Sequence, residues 1–381
     1  MKVIFFANTD WYLYNFRLPL ARFLRDRGFE VVMLSPHGPY GPLLMAAGFR
    51  WIGLDMNRRS LNPVREFGLL RRITEVYAVE KPDIVHHFTI KCVVYGSLAA
   101  RRHGIANRIN AVTGMGHVFS TNGFRARLLR PVVRRLIKTA LSGHGSRLIL
   151  QNNDDIAAFR TAGLARTECT CLIMGSGVDT VRFYPAPTRA SKTTMRVLLA
   201  SRLLWDKGIS EYVEAARAIK DAGLAIEFVL AGTPDPGNPA SVSLSQLEEW
   251  QRDAAIEYVG HVADMPGLLT GIDLAVLPSY REGLPRSLLE AAACGIPIVT
   301  TDTPGCREVV QHNVNGLLVP VRNPAALAAA IRYMFDKPEE RRRMGQAARN
   351  IAVDAFDQRI VFEKTYQVYG DLLSRTAEAA R

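Results

Sequence analysis

The chain is 381 residues long, 48 % hydrophobic and 22 % charged, with a formal net charge of +12. These are the proportions of an ordinary globular protein of two or three domains. No apolar run reaches the ~18 residues of a membrane span. Five cysteines (Cys92, Cys169, Cys171, Cys294 and Cys306) without zinc spacing predict a reduced cytoplasmic protein with no structural metal.

The apolar start, residues 1–7, is interrupted by Asn8, Thr9 and Asp10 and reads as a first strand rather than a signal peptide. A loop with Trp11, Tyr12, Asn15 and Arg17 leads to a helix expected over 18–27, closed by Gly28, and to a second strand over 30–35. That is βαβ spacing, so a parallel sheet with right-handed crossovers is expected. The first loop lacks a Gly-rich phosphate fingerprint, which argues against a dinucleotide cofactor. Its aromatics either pack under the next helix or serve a ligand.

Further strands are expected at 82–88, 108–112 and 147–151. Thr113-Gly-Met-Gly-His117 follows the second of these, either letting backbone approach a ligand or simply turning the chain. His86, His87 and His117 lie near strand ends, where a histidine is more often structural than catalytic.

The charge is uneven. Between Asp83 and Asp154 there is no acidic residue, yet that interval carries Lys91, Arg101, Arg102, Arg108, Arg125, Arg127, Arg130, Arg134, Arg135, Lys138 and Arg147. Such asymmetry implies a polyanionic partner: a membrane surface, a nucleic acid or a diphosphate-bearing ligand. Within it, residues 124–141 alternate apolar positions at three- and four-residue spacing with Arg127, Arg130, Arg134 and Lys138. One reading is an amphipathic helix packed on the sheet; the other is a helix lying in an anionic membrane interface. Pro131 is expected to split it into two short helices or to start the second.

Residues 181–194, with Pro185, Pro187 and Ser191, read as a linker. A second α/β domain follows, with strands expected at 195–200, 225–231, 256–262 and 296–301 and a helix over 209–222. Its densest stretch is Ser279-Tyr-Arg-Glu282-Gly-Leu-Pro285-Arg-Ser-Leu-Leu-Glu290-Ala-Ala-Ala-Cys-Gly295. An apolar strand over 272–278 precedes it, and good helix formers run from Pro285, which suits a first helical turn, to Gly295. Glu282 is thus placed in the loop at a strand's carboxyl end, where open α/β sheets bind ligands, and Glu290 inside the helix. Arg202 and Lys207 leave the first strand of the same domain on the same rim. Two cations and a helix N-terminus converging there would neutralise a diphosphate.

The ordered set Ser201-Arg-Leu-x-x-x-Lys207-Gly208, Gly232, Pro278-Ser279, Glu282-Gly-Leu-Pro-x5-Glu290-Ala291, Gly295-x-Pro297, Gly305-x-x-Glu308 and Asn315-Gly-Leu-Leu-Val-Pro320 resembles family 4 glycosyltransferases. The resemblance implies the GT-B fold: two facing Rossmann-like domains, here 1–182 and 195–355, with a last helix in 356–381 crossing back to the first. It implies that Arg202 and Lys207 hold the donor diphosphate, Glu282 the sugar hydroxyls and Glu290 the ribose. Gly283 and Leu284 would face the sugar, Pro285, Ser287, Leu288 and Leu289 would complete the donor site, and Gly260-His261-Val262 would receive the base.

The N-terminal half, through Asn8-x-Asp10-Trp11, Arg17-Leu-Pro-Leu20 and Val112-Thr-Gly-Met-Gly-x-Val-Phe119, resembles a subgroup acting on polyprenyl-diphosphate sugars. This implies an acceptor site with Asn15, Arg17, Thr113, Gly114, Gly116 and His117, with Asp10 orienting the acceptor near an interdomain cleft. It also implies a UDP-sugar donor, an undecaprenyl-diphosphate saccharide acceptor, retention of configuration, and residence on the inner face of the plasma membrane. In many family members a histidine follows the strand directly; this chain reads Val112-Thr113, with His117 four residues later. No metal is expected, since no Asp-x-Asp pair is present, and no nucleic acid. The weighed alternatives are a soluble acceptor, a GT-B nucleotide-sugar epimerase, a nucleic-acid binder, and a glycoside hydrolase. The last would need carboxylates about 5–9.5 Å apart, whereas a mostly helical x7 spacing gives roughly 10 Å or more.

Overall fold

A computed structural model describes residues 1–57, 60, 62–112, 124–143, 145–186, 194–235, 237–253 and 255–379, with side chains described from residue 131 in the helix Phe124–Leu141 and to residue 374 in the last helix. The chain divides into two compact units, one of Met1–Ser176 with Val361–Arg381 and the other of Gly177–Ile360.

Among the described residues, unit one holds strands β1 (Lys2–Phe6), β2 (Glu30–Pro36), β3 (Arg50–Leu54), β4 (Ile84–Phe88), β5 (Asn107–Ala111), β6 (Ser146–Leu150) and β7 (Thr170–Leu172). They form one parallel sheet in the order β3-β2-β1-β4-β5-β6-β7. Helices α1 (Leu18–Arg25), α2 (Pro63–Glu80), α3 (Ile90–Arg102) and α4 (Phe124–Leu141) are among its crossovers. The run Val3-Ile-Phe-Phe6 is continuously apolar because both sheet faces are covered. Val3 and Phe5 join the cluster containing Leu20 and Leu24 of α1, while Ile4 and Phe6 join that of Leu69, Ile73 and Tyr77 of α2.

The adjacent histidines of β4 follow the same alternation. His86 Nδ1 lies 2.8 Å from Tyr369 Oη, and His87 Nδ1 lies 2.8 Å from Asn110 Oδ1 with Tyr77 Oη 3.0 Å from its Nε2. Burial holds His86 well below the usual imidazole range and His87 at about 4. Both are structural.

Unit two holds β8 (Met195–Ala200), β9 (Ile226–Ala231), β10 (Glu257–Gly260), β11 (Leu274–Leu277), β12 (Ile298–Thr301) and β13 (Gly316–Val319), parallel in the order β10-β9-β8-β11-β12-β13. The helices that matter below are α5 (Ile209–Asp221), α6 (Arg286–Ala293), α7 (Pro338–Phe356) and α8 (Gln358–Ala379). From Val361 on, α8 belongs to unit one, where Val361, Phe362, Val368, Tyr369 and Leu372 enter the core. The expected return of the last helix is therefore present.

Three expectations need correction. Helix α4 runs unbroken from Phe124 to Leu141 with Pro131 inside it. The segment expected as a linker is partly anchored: Phe183 is buried, and Arg349 of α7 donates to the carbonyls of Thr180, Phe183 and Ala293. Pro285 is the N-cap of α6 rather than a residue of its first turn.

Candidate active site

The carboxyl-end rim of the second sheet is built from close backbone approaches. Gly208 has φ +73°, and a Cβ there would collide with the Pro278 carbonyl, pinning the β8–α5 turn against the end of β11. Gly232, at φ +138°, has the same relation to the Ser201 carbonyl. Gly305, at φ +78°, lies against the carbonyls of Glu282 and Gly283. Only glycine meets both demands, a left-handed backbone and no side chain.

Into this rim the turn Trp205–Lys207 sends Lys207, and the loop after β11 sends Glu282. Lys207 Nζ lies 2.6 Å from Glu282 Oε1, with the two side chains 13 % and 14 % exposed. The sequence distance is 75 residues, so tertiary folding brings them together. Arg202 also leaves the end of β8 but is more open, with its guanidinium 3.5 Å from Asp235 Oδ2. Helix α6 starts at Pro285 without a side-chain cap.

Glu290 accepts a hydrogen bond from Arg286 Nε at 2.8 Å, one turn back on α6. Burial raises its carboxyl above the usual range, with Arg286 pulling the other way. A carboxyl raised on folding stabilises below its unfolded value and loses that contribution as pH climbs through the folded value. Glu290→Gln should therefore raise the melting temperature at pH 7–8, with the gain fading toward pH 4. Calorimetry across that range checks it; a fall in stability at neutral pH would mean that the Arg286 pair outweighs burial.

The other donor-site candidates divide. Gly260, at φ +68°, ends β10 and its carbonyl accepts from Gly232 N at 2.7 Å; His261 is exposed and Val262 half-buried. Gly283, Leu284 and Ser287 are half-buried on the loop and first turn of α6. The side chains of Leu288 and Leu289 are in the core, and both N–H groups bond the Pro285 carbonyl. These two leucines anchor α6 rather than face outward.

Of the residues expected at the acceptor site in unit one, Asp10, Asn15 and Arg17 are described. Asp10 is buried, with Oδ2 accepting from the amides of Tyr40 and Gly41 at 2.7 and 3.0 Å and Oδ1 from Trp11 at 2.8 Å. It fixes the loop after β2. Arg17 is buried as well, donating to Tyr12 Oη and lying 4.4 Å over the Phe88 ring. Asn15 donates to the Trp11 carbonyl. Thr113, Gly114, Gly116 and His117 lie outside the described residues.

On α4, Ile137, Ala140 and Leu141 are buried while Val132 and Leu136 are exposed. Arg134 donates to the Ala162 carbonyl. The packed reading of this helix thus holds for its last turn. The side chains of Arg127 and Arg130 lie outside the described set. No helix among the described residues is long and apolar enough to cross a membrane.

Sequence reasoning missed Tyr280 and Glu211, whose side chains join at 2.6 Å. Tyr280 sits two residues before Glu282 and Glu211 four after Lys207, and that proximity was the available signal.

The architecture matches solved GT-B structures. An Anabaena HepE structure in complex with UDP aligns with TM-score 0.79 at 21 % identity, covering 97 % of this chain and 100 % of that one. Sucrose-phosphate synthase of Thermosynechococcus elongatus aligns with TM-score 0.79 at 21 % identity, covering 98 % and 100 %. The fold class is therefore GT-B. The model of glycosyl transferases group 1 matches residues 181–351, and that of glycosyl transferase 4-like proteins matches residues 2–153. The N,N'-diacetylbacillosaminyl-diphospho-undecaprenol alpha-1,3-N-acetylgalactosaminyltransferase of Campylobacter jejuni is 31 % identical over 97 % of this chain and 98 % of its own length. The chain belongs to the family 4 glycosyltransferases.

Proposed function

We propose that the protein transfers a hexose or N-acetylhexosamine from a UDP-sugar to an undecaprenyl-diphosphate-linked saccharide, with retention of configuration, in assembly of a bacterial surface or glycoprotein glycan. The observation that carries the donor half is the Lys207–Glu282 pair at the rim, 2.6 Å apart and largely shielded. Cleavage of a sugar–phosphate bond builds charge on the departing diphosphate. Lys207 and Arg202, with the amide end of α6, supply positive potential to it. Glu282 would hold the sugar and Glu290 the ribose. These groups supply the charge stabilisation without calling on a metal. The acceptor half is supported by the name of the Campylobacter relative, whose acceptor is a diphospho-undecaprenol sugar, and the donor by the HepE complexes with UDP and UDP-glucose. The test is thermal protection: UDP should raise the melting temperature, with DNA or RNA giving no shift. Protection by nucleic acid and none by UDP would replace this reading with the nucleic-acid one.

We also infer that α4 lies against an anionic membrane. Its cations in sequence are Arg127, Arg130, Arg134 and Lys138, in an interval without acids, and of the described side chains Arg134, Lys138, Val132 and Leu136 are exposed. Cations and apolar side chains at one surface suit a headgroup boundary. Binding to phosphatidylglycerol vesicles should fall severalfold when salt rises from 50 to ~300 mM, as screening requires, and again in an Arg127/Arg130/Arg134→Gln variant. Salt-independent binding, or none in the parent protein, would remove the membrane from the account.

A further inference from the structure

The turn carrying Lys207 and the loop carrying Glu282 are joined by more than their own ion pair. The Asp206 carbonyl accepts from Tyr280 N at 2.9 Å and from Ser279 Oγ at 3.1 Å. Thr301 Oγ1 of β12 donates to the Ser279 carbonyl, and Glu282 N donates to the Pro304 carbonyl at 3.3 Å. Backbone contacts therefore set where each loop runs.

Among the described residues, a side chain–side chain hydrogen bond also links the Glu282 loop to the helix start that follows the Lys207 turn. Tyr280 Oη donates to Glu211 Oε1 at 2.6 Å, and Ser210 Oγ donates to Glu211 Oε2 at 3.1 Å. Glu211 is in the first turn of α5, directly after the Lys207 turn, and is only 7 % exposed. The Arg322 guanidinium lies 4.7 Å over the Tyr280 ring, closing the other side. Burial first, and Glu211 second, raise the Tyr280 hydroxyl above its ordinary range, so it stays a donor throughout the working pH range.

We infer that Tyr280 and Glu211 are positioning residues, which through their hydrogen bond hold the Lys207 ammonium and the Glu282 carboxylate at the spacing the transfer step needs. The inference rests on the donor-site reading of Lys207 and Glu282 given above. Neither Tyr280 nor Glu211 has to touch the donor. A short charge-assisted bond from a rigid ring to a shielded carboxylate is stiff, and loss of such a support displaces the groups it holds with little change to the fold. The effect should therefore fall on turnover more than on donor binding.

Kinetics with donor and acceptor varied separately test this. Tyr280→Phe and Glu211→Ala should each lower kcat about tenfold, with donor KM within about twofold. Glu211→Gln, which keeps an oxygen for the tyrosine hydroxyl, should recover most of the loss seen in Glu211→Ala. In a Glu282→Gln background Tyr280→Phe should cost little more, because residues acting as one unit are not additive. The inference is overturned if Tyr280→Phe keeps kcat within twofold of the parent while Glu282→Gln loses transfer. It is equally overturned if the losses multiply in the double variant, as independent structural damage would. Unimpaired transfer by Glu282→Gln itself would instead remove the donor-site reading on which it rests.

Discussion

Replacement of Lys207 by alanine is expected to lower kcat about 10²- to 10³-fold, the usual effect of removing one preorganised donor from a site of developing negative charge. The expectation comes from its position: the side chain is 13 % exposed, with its ammonium 2.6 Å from Glu282, so it acts where water screens little. Arg202 is the contrast. At 58 % exposure and 3.5 Å from Asp235 it is less fixed, and Arg202→Ala should cost about tenfold, since a mobile group must be ordered before it acts. Lys207→Ala also strips Glu282 of its cation, so Glu282→Gln belongs beside it to separate charge from loss of the sugar contact. Single-turnover transfer and melting temperatures measured together check the point. Full activity in folded Lys207→Ala would end the site assignment.

Gly232→Ala is expected to be the most destabilising single change in unit two. Its φ of +138° is closed to residues with a Cβ, and the new atom would collide with the Ser201 carbonyl. Backbone strain and overpacking each cost about 1–3 kcal/mol, together roughly 2–6. For a unit of this size that lowers the melting temperature by about 10 °C. Gly223→Ala is the control. It has φ +69° but nothing within 4 Å of its Cβ, so only the strain of about 1 kcal/mol remains. Equal melting temperatures for the two variants would show that the approach of β9 to the Ser201 turn does not constrain the rim.

The second unit was the more legible half, for a physical reason. Its motif residues carry demands that show in one dimension: Gly208 and Gly232 mark backbone approaches, and the apolar run before Ser279 marks a buried strand. Lys207 and Glu282 could be placed on one rim because both follow strands of one parallel sheet. The first unit hid its logic in distant partners. Asp10 was read for a role toward an acceptor, and its bonds to the amides of Tyr40 and Gly41 are a relation invisible at that separation. Arg17, read likewise, is folded over Phe88. Edge strand β3 carries a weak signal, because Arg50-Trp-Ile-Gly-Leu54 is only partly buried and lacks a strong alternation.

Pro131 shows a local rule overridden. A proline costs a helix interior about 3 kcal/mol, which on sequence alone favours a break. Burial of Ile137, Ala140 and Leu141 against the sheet offsets such a cost, since each large side chain removed from water contributes about 1.5–3 kcal/mol.

The most direct measurement is transfer itself. Purified protein would be given each of a panel of radiolabelled UDP-sugars with undecaprenyl-diphosphate-linked saccharides, and label extracted into the organic phase would be followed with UDP released. At least one UDP-hexose or UDP-N-acetylhexosamine is predicted to label the lipid fraction, one sugar per UDP, with Lys207→Ala slowing the labelling about 10²- to 10³-fold. Transfer only to soluble saccharides, with the lipid fraction unlabelled for every donor, would contradict it.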